Sequence, residues 1–170
     1  MLSRKAHIML AQLNQMTRLD EVLQLAIRVA MSETSADRGS LLVMNERGSV
    51  THKVLARPGQ LPEVAQINVH LVMTEGLGGW VCRNQQNALI TDTTRDARWV
   101  ELPDDDWETG AVIAVFVPYG ERILGLLTLQ HEERNAFNSS HLNAAKELAD
   151  LLAEPLEAAR LHERAAMESG

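Results

Sequence analysis

The stretch EGLGGWVCRNQQNALITD, residues 75–92, brings Gly76, Gly78 and Gly79 next to Trp80 and Cys82. Glycines at a helix start admit a backbone or a ligand closely, and the free N–H groups there favour an anion or a carbonyl oxygen. The spacing is neither a phosphate loop nor a dinucleotide fingerprint, so close packing of the helix on its neighbour accounts for these glycines equally well. Cys82 is the single cysteine, a candidate nucleophile, redox sensor or tetrapyrrole attachment point. Val81 and Arg83 beside it supply no base, and a buried inert thiol is the plainer reading. Histidines stand at 7, 52, 70, 131, 141 and 162, and none pairs at the i,i+4 spacing of a helical metal face. His70 is the candidate for a single axial haem ligand, weighed against a hydrogen-bonded strand histidine.

In PDDDWETG, residues 103–110, Asp104, Asp106 and Glu108 alternate as in a calcium loop. The glycine falls at the seventh place rather than the sixth, however, and Val115 occupies the twelfth, where a calcium loop needs glutamate. A solvated acidic loop, able to act as a lid, fits better. Trp99 and Trp107 could stack on a planar ligand, though large apolar residues more often plug a core. There is no Gly-x-Ser-x-Gly or Ser-x-x-Lys, so no enzyme activity is expected and the sequence requires no cofactor.

A chain of 170 residues with 45% apolar composition fits one domain with its own core. A net charge of −7 repels phosphate backbones, so nucleic acid is not an expected partner. The longest uncharged apolar run, 111–117, is far short of the roughly 20 residues that span a bilayer. MLSRKAHIML lacks a signal core of roughly 7–15 apolar residues. No membrane association is expected, and a cytoplasmic location is.

Leu2, Ala6, Met9, Leu13 and Met16 recur at steps of four and three, drawing a narrow seam suited to a partner helix. Residues 1–16 are therefore read as a dimerisation helix. Thr17, with Asp20 three residues on, predicts the N-cap of a second helix running to about Ser32, apolar nearly all round. The period then changes to two. Runs 39–44 and 49–55 predict a hairpin through Asn45-Glu46-Arg47-Gly48, and 66–73 predicts a further strand carrying His70. Thr74 is expected to cap a short helix through about Arg83, followed by a strand at 88–92. AVIAVFVPY, 111–119, and ILGLLTLQH, 123–131, predict two strong strands joined at Gly120-Glu121-Arg122.

A long helix is expected from Ser139, capped by Asn138. One of its apolar faces holds Leu142, Ala145, Ala149, Leu152, Leu156 and Ala159. The other holds Ala144, Leu148, Leu151, Ala158 and Ala165. The sheet can cover the first, and the second, with the seam at 2–16, predicts a parallel-helix homodimer interface.

This element order, with RLDEVLQLAIRVA leading into ADRGSLLVMN, EGLGGWVCRNQQNALITDTTRDARWV, and AVFVPYGERILGLLTLQHEERNAFNSSHLNAAKELADLLAEPLEAARL, resembles the GAF domain family over residues 18–161. The resemblance implies an α+β fold: a PAS-like antiparallel sheet of five to six strands, terminal helices on one face and a ligand cavity on the other. It assigns residues 17–161 to the domain and 162–170 to a truncated or terminal length of signalling helix. It places the pocket among Gly76, Gly78, Gly79, Trp80, Asp92, Trp99 and Trp107. Its functional implication is a non-catalytic sensor of an unidentified small molecule, acting in bacterial signal transduction on an output domain or partner. A structural dimerisation module with a filled pocket, or a haem or redox sensor through His70 or Cys82, are the alternatives. Bilin-binding members pair a cysteine with a neighbouring histidine, and sulfoxide-reducing members use several cysteines. This sequence has neither, nor a recognisable cyclic-nucleotide signature.

Overall fold

Side chains alternate between two apolar layers along the central strands, and that alternation sets the architecture. The computed structural model describes residues 1–57, 69–100 and 108–168. The elements are α1 Arg4–Ala11, a 3-10 turn Gln12–Gln15, α2 Leu19–Thr34, β1 Arg38–Met44 and β2 Val50–Ala56. There follow α3 Val69–Thr74, α4 Leu77–Asn84, β3 Ala88–Ile90, a 3-10 turn Thr93–Arg95, β4 Ala111–Tyr119, β5 Arg122–His131 and α5 Ser139–Glu168. The five strands form one sheet in the order β2-β1-β5-β4-β3, antiparallel throughout. The expected α+β fold is the one observed.

Leu41, Val43, Ile113, Val115, Leu127 and Leu129 face a large core built with α2 and α5. Leu42, Met44, Val112, Ala114 and Leu126, one residue out of phase, face a second apolar cluster beneath α4. Because β4 and β5 are covered on both sides, they read as continuous apolar runs rather than alternating ones. Gly48 and Gly120 turn the two hairpins at φ +77° and +61°, values that glycine adopts at little cost. Asn138 Oδ1 accepts from the backbone N–H groups of Ser140 and His141 at 2.9 and 3.2 Å, capping α5 as expected.

Four expectations change. The strand expected at 66–73 is instead the helix α3 over 69–74, and residues 66–68 lie outside the described residues. A short apolar run does not distinguish a strand from a covered helical turn by period alone. Thr74 closes α3 rather than capping α4, its hydroxyl donating to the His70 carbonyl at 2.7 Å. The N-cap of α2 is Arg18, not Thr17, and no side chain caps it; Asp20 and Glu21 in the first turn complement the helix dipole instead. Finally, the N-terminal seam is closed within the chain.

Leu2, Ala6, Leu10 and Leu13 are buried in the main core, and Met9 and Met16 pack half-covered against it. Within α1, Leu10 follows Ala6 by a four-residue step and takes the inner face in place of Met9, and the 3-10 turn from Gln12 brings Leu13 onto the same face. Leu2 N donates to Glu147 on α5 at 2.9 Å, and the Ser3 N–H and hydroxyl both donate to Glu33 on α2. Ala144 and Leu148 are likewise buried in this subunit. Of the residues assigned to a dimer interface, Leu151 and Ala158 face outward, Leu151 being 46% exposed. Ile8 at 60% and Leu161 at 45% join them as exposed apolar groups, with Ala165 also exposed.

Two charged residues are buried in α5, Glu157 and Arg160, each 6% exposed. Arg160 Nη2 donates to Glu157 Oε1 at 2.7 Å and to Glu46 Oε1, in the β1–β2 loop, at 2.6 Å. Arg122, at the β4–β5 turn, donates to Glu157 Oε2 at 3.1 Å. One knot of charge thus fastens α5 to both hairpin ends.

Arg160 holds the Glu46 carboxyl down at about 2, from an ordinary value of 4.5. Such a depressed folded-state pKa adds stability above the unfolded value, and the stability is lost as pH falls through the folded one. In a thermal-unfolding series, the midpoint is expected to fall between pH 4.5 and 2, and to fall less steeply in Glu46→Gln. Equal slopes in the two proteins would contradict the assignment.

Candidate ligand-binding site

On the sheet face away from α5, the second cluster is less completely covered than the first. Leu77 and Val81 of α4 are buried in it, while Met73, Trp80, Trp99 and Phe116 are only partly buried around it. The glycines explain how α4 reaches this position. Gly76, Gly78 and Gly79 are all buried. A Cβ at Gly78 would lie 2.7 Å from Leu126 Cδ2 and 2.8 Å from Val72 Cγ1, and one at Gly79 would overlap the Met73 carbonyl oxygen. Arg83 Nη1 donates to that same carbonyl at 3.2 Å. The glycine run therefore closes α4 onto α3 and β5.

Trp80 projects from α4 and carries the Arg98 guanidinium 4.5 Å above its ring. Arg98 is fixed by Asp96, its Nε and Nη2 donating at 2.9 and 2.6 Å while its backbone N–H donates at 3.0 Å. Arg98 holds the Asp96 carboxyl below its usual range, and Asp96 in turn raises Arg98. Trp99 follows directly; its Nε1 is buried and has no hydrogen-bond partner among the described residues. Sequence reasoning singled out Trp80 and Trp99 but missed Asp96 and Arg98. The string Asp96-Ala97-Arg98-Trp99 was visible, but pairing Arg98 with a tryptophan 18 positions earlier requires the fold.

The remaining candidates separate. Asp92 accepts from Thr94 N and Oγ1 at 3.0 and 2.6 Å and lies 3.6 Å from Arg134 Nε, so its oxygens brace its own turn. The Thr94 hydrogen bond, chiefly, holds its carboxyl below the usual range. Trp107 lies outside the described residues. Cys82 packs half-buried against the second cluster, and burial pushes its thiol up, away from the reactive thiolate. His70 lies on the helix α3 and is exposed, so the strand placement behind the axial-ligand reading does not hold. Two open grooves, of about 630 and 780 Å³, lie on the α5 side, between α5 and β2 with the start of α2, and between α5 and the β1–β2 loop. Neither includes Trp80 or Trp99.

The GAF domain family model matches residues 17–157. The chain belongs to the GAF domain family. No curated protein sequence matches it. Among solved structures, this GAF domain is similar to that of an Acinetobacter phosphoenolpyruvate-protein phosphotransferase at 15% identity and a TM-score of 0.70, covering 94% of this chain and 97% of that one. It is also similar to a free methionine-R-sulfoxide reductase from Neisseria meningitidis in complex with its substrate, at 16% identity, TM-score 0.68 and 95% of each chain. A third similar structure is residues 122 to 287 of a methyl-accepting chemotaxis protein, at 14% identity and TM-score 0.68, covering 94% of this chain and 99% of that one. At these identities the likeness is one of fold.

The close approach at α4 makes a ranking testable. Gly79→Ala meets backbone and is expected to lower stability by about 1–3 kcal/mol. Gly78→Ala meets the ends of two side chains that can turn aside, and is expected to cost less. Urea unfolding of the two variants checks the order, and a larger loss for Gly78→Ala would contradict it.

Proposed function

We propose that this GAF domain is a non-catalytic sensor: a small molecule occupies the tryptophan-bearing face of the sheet, and its presence is passed to α5. The observation that carries the reading is the two-layer sheet itself. Leu42 and Leu126 touch the tryptophan-bearing layer while their neighbours Leu41, Val43 and Leu127 touch the core that seats α5. A displacement on one face therefore reaches the other within single strands. Such coupling requires the ligand to bind the two arrangements with different affinity.

The proposed signal leaves through a homodimer. The stripe Leu151, Ala158, Leu161 and Ala165 follows steps of seven and three to four along α5, and its alanines permit close helix approach. A second copy offers the same stripe across a two-fold axis. The domain is read as working in the cytoplasm of a bacterial cell, on an output domain or partner; no helix of the described residues is long and apolar enough to cross a membrane. The alternative of a dimerisation module with a filled pocket draws on the closed packing at Gly78.

Thermal-shift screening with neutral and charged small molecules tests the sensor reading. A ligand at about a hundred times its Kd is expected to raise the midpoint by about 5–10 °C and to change hydrogen exchange in α5. If the broad screen yields no binder, the filled-pocket alternative stands. Leu151→Glu combined with Leu161→Glu is expected to convert a sedimenting dimer into a monomer of unchanged helicity; a wild-type chain that sediments as a monomer at high concentration would remove the dimer.

A further inference from the structure

The tryptophan-bearing face contains one hydrogen-bonding group left unused. Trp99 Nε1 is buried without an acceptor among the described residues, although a buried indole N–H ordinarily finds one. The group beside it that would be expected to recognise a ligand, the Arg98 guanidinium, is already occupied. Two of its nitrogens donate to the two oxygens of Asp96, at 2.9 and 2.6 Å, and its face lies 4.5 Å above Trp80. Arg98 and Asp96 cancel each other's charge.

This balance decides the ligand's charge. A carboxylate or phosphate drawn to Arg98 would have to displace Asp96 from a two-point hydrogen bond or stand beside its charged oxygens, and like charges at such distances repel. A purely apolar molecule would cover Met73, Trp80 and Phe116, which are only partly buried, and leave the indole N–H unsatisfied. No group of three or more His, Cys, Asp or Glu among the described residues could hold a metal ion to mediate binding.

The geometry points to an uncharged ligand with an apolar body and one hydrogen-bond acceptor, such as a ketone, lactone or amide carbonyl, which takes its hydrogen bond from Trp99 Nε1 while its body covers Trp80. This rests on the sensor reading and narrows it. Arg98 and Asp96 then act as positioning residues: their hydrogen bonds brace the turn that carries Trp99, and the Asp96 charge excludes anions.

Calorimetric titration of the full chain with three probes of one shape separates the cases. Coumarin is neutral and has a carbonyl, naphthalene is neutral without an acceptor, and coumarin-3-carboxylate adds a charge. Coumarin is expected to bind about tenfold more tightly than naphthalene, the effect of one satisfied hydrogen bond, and more tightly than the carboxylate. Trp99→Phe, which keeps a ring and removes the N–H, is expected to reduce coumarin to the level of naphthalene and leave naphthalene unchanged. Asp96→Asn is expected to improve the carboxylate relative to coumarin. Equal binding of coumarin and naphthalene, no effect of Trp99→Phe, or a preference for the carboxylate in the wild type would each overturn the inference while leaving a ligand-binding face in place. If none of the three binds and the broad screen is also empty, the sensor reading fails with it. Should Trp99→Phe not fold, the wild-type order of the three probes decides.

Discussion

Pairing of β4 with β5 through the middle of the sheet is the constraint on which everything else depends. Nine register positions link Ala111–Tyr119 to Arg122–His131, and the alternate side chains of this pair supply the inner surface of both apolar layers. A slip of β4 by one residue would turn Ile113 and Val115 away from α5 and put Val112 and Ala114 in their place. The two sets differ in shape and meet different partners, so they are not interchangeable. The hairpin turn at Gly120 holds the register from one end.

The two layers divide the labour. Toward α5 the sheet's leucines and valines meet a helix face rich in alanine, and the core is close-packed. Toward α4 the glycines let the helix approach closely over Leu42, Met44 and Leu126, and the surrounding Trp80, Trp99 and Phe116 are only partly buried. Closely seated backbone on this side fixes where α4 sits while leaving its tryptophan at the surface, which is the arrangement a recognition face needs.

Much of this was legible in the sequence, and the reasons differ by element. AVIAVFVPY gave its strand to the residue because a run apolar at nearly every position, bounded by glycines, has one reading as a strand buried on both faces. Asn138 marked the start of α5 because capping is a local interaction. The helix α3 was not legible, because QINVHL alternates like a strand and the short apolar run after it fits a strand or a covered helical turn equally well. The N-terminal seam was half right. Leu2, Ala6 and Leu13 do form one face, but sequence period does not say which surface a face meets, and here it is the chain's own α2 and α5. At the candidate site, tryptophans and glycines drew notice by type alone, whereas Asp96 and Arg98 gain meaning only from their neighbours in space.

The charge knot at Arg160 has a further consequence for the geometry of α5. Interdigitated side chains already resist the roll of a helix on a sheet, and directional bonds off the helix axis add to that hold. Glu46 and Arg122, arriving from two separate hairpin ends, grip Arg160 and Glu157 from the side. They thereby help set the azimuth of the whole cylinder, and with it the compass bearing of Leu151 and Leu161, which are exposed on α5.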